Sequence, residues 1–266
     1  GNQPCVLEIH GLRLGFTICE DLWEEMPTQQ FEHQSLDLLL NINASPFHRG
    51  KACERRQLLK RRAQAIGAPI AYVNLVGGQD ELVFDGGSLA VDSVGNAVVQ
   101  APQFEAGLYP AVFKLSSSGR YEPARVSCAT QPSDLAQVYK ALTIGVRDYV
   151  TKNGFKGVVL GLSGGIDSAL TLAIAVDALG AHAVHAVMMP FEYTSQLSRD
   201  AAAEQAATLG VAYRSISIKS IYDQFVAALA SEFEGLAEDV TEQNLQARCR
   251  GVLLMAISNK KGYLVL

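Results

Sequence analysis

The chain of 266 residues is 48% hydrophobic and 18% charged, which suits one large or two modest folded domains and excludes a disordered tract. A formal net charge of −5 and a sequence pI near 5.6 offer no basic stripe to neutralise phosphates, so no nucleic acid is expected as partner and small molecules are favoured. No apolar run reaches the roughly 18 residues of a membrane span and no leader-like segment opens the chain, so the expectation is a cytoplasmic protein with no membrane contact.

The chain starts Gly1-Asn2-Gln3-Pro4, without an initiator Met, and ends in the apolar run Gly262-Tyr263-Leu264-Val265-Leu266. Both ends read as cuts through a longer protein, because natural termini are more solvated. The five cysteines (Cys5, Cys19, Cys53, Cys128, Cys249) are odd in number and scattered, with no Cys-x-x-Cys pair. That pattern predicts free thiols and argues against a disulfide framework or a zinc site.

In chain order, Leu12–Ile18 and Leu36–Ile42 read as buried strands, and Lys51–Ile66 as a helix with Leu58, Leu59, Ala63 and Ile66 on one face. Pro69–Val76 reads as a third strand, and Gly87–Val99 as a hairpin that turns near Gly95-Asn96. Between Lys114 and Pro132 the apolar periodicity lapses through Ser116-Ser117-Ser118-Gly119-Arg120. We expect a linker over 116–132, between a first segment at 1–115 and a second at 133–266. Beyond it comes strict alternation: helix 133–152, strand 157–161, helix 167–179, strand 183–189, helix 198–209, strand 211–218, then helices from about Ser220 and Glu242. Repeated βα units specify a doubly wound parallel sheet whose ligands sit beyond the carboxyl ends of its strands.

The turn from strand to helix at Gly161 is Leu162-Ser163-Gly164-Gly165-Ile166-Asp167-Ser168. Its glycines let backbone N–H groups approach an anion, the helix N-terminus adds partial positive charge, and Ser163 and Ser168 offer hydroxyls. It lacks the Lys-Ser/Thr ending of a Walker A loop and is not G-x-G-x-x-G. A carboxylate, Asp167, inside a phosphate cradle is accounted for by a Mg²⁺ ion bridging it to pyrophosphate. The plainer alternative is a glycine-rich turn that only links strand to helix.

Ser-Gly-Gly-x-Asp-Ser resembles the pyrophosphate loop of the N-type ATP pyrophosphatases, and further segments resemble the NAD synthetases among them. Those segments are Ala186-Val187-Met188-Met189-Pro190, Tyr193–Ala201 and Gln243-Asn244-Leu245-Gln246-Ala247-Arg248-Cys249-Arg250. The resemblance implies ATP at Ser163, Gly164, Gly165, Ile166, Asp167, Ser168 and Met189, with Asp167 holding the Mg²⁺. It implies that Asn244, Arg248 and Arg250 bind nicotinate adenine dinucleotide or phosphate, or face a second subunit of a homo-oligomer. A solvated helix face is the other reading of the arginine pair, since i,i+2 residues cannot point the same way.

Arg13–Trp23 reads as a strand that delivers Cys19 into the acidic turn Glu20-Asp21. A thiol there can attack an amide carbonyl if a base takes its proton and donors hold the oxyanion; alone, a cysteine after an apolar strand is more often a buried small residue. The segment resembles the nucleophile strand of the nitrilase family, and Leu39–Pro46, the Lys51 helix, Ala71–Asp80 and Phe84–Ser88 follow in that family's order. The resemblance implies Cys19 as the nucleophile of a Glu–Lys–Cys triad, with Ser45 and Trp23 in a glutamine pocket. It places the Glu and Lys long intervals before the cysteine, whereas Glu8 and Glu20 lie too near it to serve. The expected architecture is a partial nitrilase-like α-β-β-α sandwich followed by a doubly wound, adenine nucleotide α-hydrolase-like domain. The activity implied is that of glutamine-hydrolysing NAD synthetases, a C–N bond-forming ligase reaction with glutamine, ATP and nicotinate adenine dinucleotide as substrates. A stand-alone nitrilase-type amidase and an inactive nucleotide-binding fragment are the alternatives, and the 266 residues alone are expected to turn over neither glutamine nor ATP.

Overall fold

The computed structural model describes residues 3–117 and 119–266, so Gly1 and Asn2 of the expected cut end and Ser118 of the expected linker lie outside the described residues. It divides into two compact units, Gly1–Gly145 and Val146–Leu266.

The first unit is built on a mixed sheet. Its strands are β1 (Cys5–Ile9), β2 (Leu12–Ile18), β3 (Leu38–Asn43), β4 (Ile70–Asn74), β7 (Leu89–Val91), β8 (Ala97–Gln100) and β11 (Ser127–Cys128), in the spatial order β1-β2-β3-β4-β7-β8-β11. A short helix α1 (Glu25–Gln29) follows β2, and α2 (Lys51–Ile66) carries the crossover between the parallel strands β3 and β4. The hairpin β5 (Val76–Gln79) and β6 (Leu82–Asp85) and the ribbon β9 (Phe113–Leu115) and β10 (Tyr121–Pro123) stand outside the sheet. α2 occupies the span read from the sequence because its apolar residues recur at helical spacing. Leu58, Leu59, Ala63 and Ile66 bury against Leu39, Ile70, Tyr72, Leu89 and Val91 of the sheet.

Alternate residues of a strand point to opposite faces. The face away from α2 therefore carries Leu7 and Ile9 of β1, Ile18 of β2, Ile42 of β3 and Val73 of β4, all exposed among the described residues. Register sets Ile18 beside Ile42 and Ile42 beside Val73, which joins them into one apolar strip. This sheet with its helix layer is one half of an α-β-β-α sandwich.

The strand expected over 69–76 ends at Asn74, whose side chain leaves the ladder to accept from Ser45 N (2.9 Å) and to donate to Gly86 O (3.1 Å). Val76 then opens the β5–β6 hairpin, turned at Asp80 with φ 52°.

One buried ion pair ties helix, strand ends and hairpin together. Arg55 of α2 donates from Nη1 to both Asp85 oxygens (2.7 and 2.9 Å) and from Nη2 to Ser45 O (2.9 Å), and Gln103 Nε2 donates to Asp85 Oδ2 (2.8 Å).

The second unit obeys the βα rule. α3 (Asp134–Lys152) contains the division between units. After it come β12 (Val158–Gly161), α4 (Ile166–Leu179), β13 (Val184–Met188), α5 (Gln196–Leu209), β14 (Ala212–Ser215), α6 (Lys219–Ala228), α7 (Val240–Lys261) and β15 (Leu264–Val265). All pairings are parallel, in the order β14-β13-β12-β15. Val158, Leu160, Val184 and Ala186 pack on one face with Leu172 and Ala175 of α4 and Ala202 and Ala206 of α5. Val159, Val187 and Met189 pack on the other with Cys249, Leu253 and Ile257 of α7. Burial on both faces explains why these strands read as unbroken apolar runs. The order reverses at β12, which opens a crevice beyond its carboxyl end.

Removing one partner of a buried pair strands the other charge, so Arg55→Met should cost the first unit about 3–5 kcal/mol. Urea unfolding followed by fluorescence of Trp23, the chain's single tryptophan, measures this; an unchanged midpoint would refute the role given to the pair.

Candidate functional site

Parallel pairing in register brings the residues just past β2, β3 and β4 to one edge of the first sheet, and Cys19 is the first residue past β2. Cys19 takes φ 47°, a left-handed backbone that costs a non-glycine residue about 1–3 kcal/mol and persists only when its surroundings impose it. It starts a 3₁₀ turn, Cys19–Leu22, whose Leu22 is fully buried in the core. Asp21 Oδ2 accepts the Ile18 N–H at 2.9 Å, and Thr28 Oγ1 donates to Asp21 O and Glu24 O, both at 3.2 Å. Arg62 of α2 donates to the carbonyls of Leu22 and Trp23, each at 2.9 Å.

Trp23 is half-buried, and Lys51 Nζ lies 3.7 Å above its ring. Ser45 is buried, with its hydroxyl accepting from Arg55 Nη2 at 3.2 Å. Tyr72 is buried among Arg55, Ser45, Cys19 and Asp85, and burial pushes its hydroxyl above the usual range against the pull of Arg55. Cys19, Ser45 and Trp23 therefore share one sheet edge. A neighbouring cavity of 390 Å³ is lined by Asn43, Asn74, Ser88 and Tyr109 but by none of those three residues. Glu8 lies on β1, and Glu20 gives its carbonyl to Trp23 N and Glu24 N.

In the second unit the turn after β12 is wired by its own side chains. Ser163 Oγ lies 3.0 Å from Ser168 Oγ and accepts from Gly165 N at 3.2 Å, while Ser168 Oγ donates to Gly165 O at 3.0 Å. α4 starts at Ile166, one residue before the expected start, with Gly165 as an N-cap that has no capping side chain. The N–H groups of the first turn thus lack intrahelical acceptors, which is the condition for holding an anion. Asp167 sits in that first turn, exposed.

Gly164 has φ 82°, and a Cβ there would sit on the Ser198 carbonyl oxygen of α5. A cavity of 180 Å³ opens beside the turn, lined by Gly161, Ser163, Val187, Met189, Thr194 and Arg250 among others. Arg250 Nε donates to Met189 O at 3.2 Å. The structure thus brings Ser163, Met189 and Arg250 together. Arg248 and Asn244 stay outside this cavity, exposed on α7, with Arg248 Nη1 donating to Asn244 O at 3.2 Å. The helical offset of two residues separates the arginines. Burial pushes the thiol of Cys249, between them, upward against the pull of Arg250.

Sequence reasoning passed over Arg55, Arg62, Lys51 and Thr194. The first two left a signal, since Arg55 and Arg62 fall three or four residues from Leu58, Leu59 and Ile66, on or beside the buried stripe of α2.

Gly164→Ala should lower stability by about 1–3 kcal/mol through φ and the Ser198 contact, whereas Gly165→Ala, at φ −91° with nothing nearer than 3.4 Å, should cost under about 1 kcal/mol. Equal urea midpoints for the two variants would refute the close approach.

Comparison with known proteins matches each half of the chain to a known family. Residues 1–122 match the carbon–nitrogen hydrolase family and residues 138–266 the NAD synthase family. A glutamine-dependent NAD(+) synthetase of Xylella fastidiosa is 48% identical over 265 residues, covering 100% of this chain and 48% of that protein. One from Acinetobacter baylyi is 44% identical over 266 residues, covering 100% and 49%. The solved glutamine-dependent NAD+ synthetase of Acinetobacter baumannii, in complex with ADP, superposes with a TM-score of 0.93 at 46% identity, covering 100% of this chain and 50% of that one. The chain spans about half the length of the curated relatives it matches. Half by half, then, the chain is similar first to the carbon–nitrogen hydrolase family and then to the NAD synthase family, and along its whole length to glutamine-dependent NAD(+) synthetases.

Proposed function

We propose that this chain serves a glutamine-dependent NAD synthetase, in which a cysteine amidase supplies ammonia to an adenylating unit. The observation that carries the reading is the pairing on one chain of a cysteine at a strained strand end with a Ser-Gly-Gly-Ile-Asp-Ser turn at the N-terminus of α4. A stand-alone amidase has no use for the second feature.

In the first unit the Cys19 sulfur attacks the side-chain amide carbon of glutamine, ammonia leaves, and water hydrolyses the thioester to glutamate. The backbone N–H groups at the start of the Cys19–Leu22 turn, where a helical turn supplies no intrahelical acceptors, hold the oxyanion. Trp23 and Ser45 shape the glutamine pocket, Trp23 by its ring and Ser45 through its contact with Arg55.

In the second unit ATP lies on the turn from Ser163 to Ser168, with its adenine toward Met189 in the adjoining cavity. The nicotinate carboxylate of nicotinate adenine dinucleotide takes the AMP group and releases pyrophosphate; ammonia then displaces AMP and gives NAD. Arg250 steadies a phosphate at the cavity wall, while Arg248 and Asn244, exposed on α7, face substrate or a second copy in a homo-oligomer. An exposed carboxylate in the first turn of α4 fits Mg²⁺, which takes one or two carboxylates and completes its shell with phosphate oxygens and water, and Asp167 is that carboxylate. When bound, the ion offsets charge on the departing pyrophosphate. The stretch 116–132, expected as a linker, carries β10 and β11, and β11 extends the sheet of the first unit. Among the described residues no helix is long and apolar enough to cross a membrane. The substrates are all charged, water-soluble metabolites, which supports a cytoplasmic setting for the reaction.

In the protein carrying this chain at the length of its relatives, Cys19→Ala should abolish NAD formation from glutamine while leaving formation from ammonium within about twofold, since only the ammonia source is lost. Asp167→Asn should cut both by about a hundredfold or more. Parallel loss of both activities in the Cys19 variant, with folding intact, would sink the two-site reading.

A further inference from the structure

We propose that Arg62 is a positioning residue for the Cys19 nucleophile, holding the turn that follows it so that its backbone N–H groups stay aimed at the oxygen of the amide under attack. The inference rests on the amidase reading above. Cys19 sits at φ 47°, and nothing in its own side chain favours that backbone, so the conformation must be imposed from outside.

The restraints act on the carbonyls of the turn. Glu20 O accepts from Trp23 N (2.9 Å) and Glu24 N (3.1 Å), and Asp21 O accepts from Thr28 Oγ1 (3.2 Å). Leu22 O and Trp23 O are held together by Nε and Nη2 of Arg62, both at 2.9 Å. With the carbonyls drawn to this side, the first N–H groups of the turn are left without intrahelical acceptors at the strand end.

Arg62 is suited to this task because its planar fork spans two successive carbonyls, which a lysine ammonium does not reproduce. It is also anchored. It stands between Leu59, Ala63 and Ile66 on α2, which are seated in the core that holds Leu22 and Leu39. The guanidinium thereby fixes the turn to the helix layer instead of to a mobile loop. A purely structural carbonyl cap would show itself as lost stability, with kcat and KM for glutamine unchanged in the fraction that remains folded.

The test uses the protein at the length of its relatives, with glutamate release from glutamine as the readout. Arg62→Met, which keeps the aliphatic stem, should lower kcat about 10- to 100-fold with KM for glutamine within about twofold, as expected when a catalytic turn is displaced by a fraction of an ångström to an ångström. NAD formation from ammonium should stay within about twofold. Arg62→Lys guards against misfolding of the Met variant: it should unfold at the parent's urea midpoint and still lose about fivefold or more in kcat, because one donor replaces two. Hydrolysis within twofold of the parent in a folded Arg62→Lys protein, or a rise in KM at constant kcat in either variant, would overturn the assignment. Cys19→Ala separates the two levels. If it still releases glutamate, the amidase reading and this inference fall together; if it is dead while both Arg62 variants match the parent, only the role of Arg62 falls.

Discussion

Parallel strands paired in register end together, and both units of this chain are organised by that constraint. Once Ile18 is set beside Ile42 and Ile42 beside Val73, the residues after β2, β3 and β4 must emerge along one line. Cys19, the segment with Ser45, and Asn74 are neighbours for that reason. The same rule sets Leu160 beside Ala186 in the second unit, so the turn after β12 and the residues after β13 face one crevice. Ser163 and Met189 lie 26 positions apart in sequence and still line one cavity. In each unit the backbone ladder brings the chemistry together, and the side chains then refine it.

Refinement differs between the two ends. At Cys19 the turn is restrained from outside, by a helix that supplies Arg55 to the strand ends and Arg62 to the carbonyls. At Ser163 it is restrained from within, by hydroxyls that bond to their own loop, and by a glycine that lets α5 come close. The contrast stems from composition. A Ser-Gly-Gly loop has small polar groups that reach its own backbone, whereas Cys-Glu-Asp-Leu must borrow donors from elsewhere.

That difference also explains what could be read in the amino-acid order. The span of α2, the strand 12–18 and the alternation of the second unit were legible because hydrophobic periodicity reports burial directly. The anion turn was legible because its whole hydrogen-bond network lies within six consecutive residues. The β5–β6 hairpin was not, since Val76-Gly-Gly-Gln continues the apolar run of β4 and the break depends on where the Asn74 side chain bonds. Nor was the hold of Arg62 on Leu22 and Trp23, which joins residues some forty positions apart and has no local trace beyond an arginine at the margin of an apolar stripe. The two arginines of α7 were separable in principle from the 3.6-residue period alone, and the structure assigns Arg250 to the cavity.

The apolar strip formed by Ile18, Ile42 and Val73 has a further effect at the nucleophile. Ile18 is 69% exposed and directly precedes Cys19. Water-wetted hydrophobic area is free energy withheld from the folded state, at about 25 cal/mol for each Å². A surface that covered the strip would stabilise the ends of β2, β3 and β4 together, beside the strained backbone of Cys19.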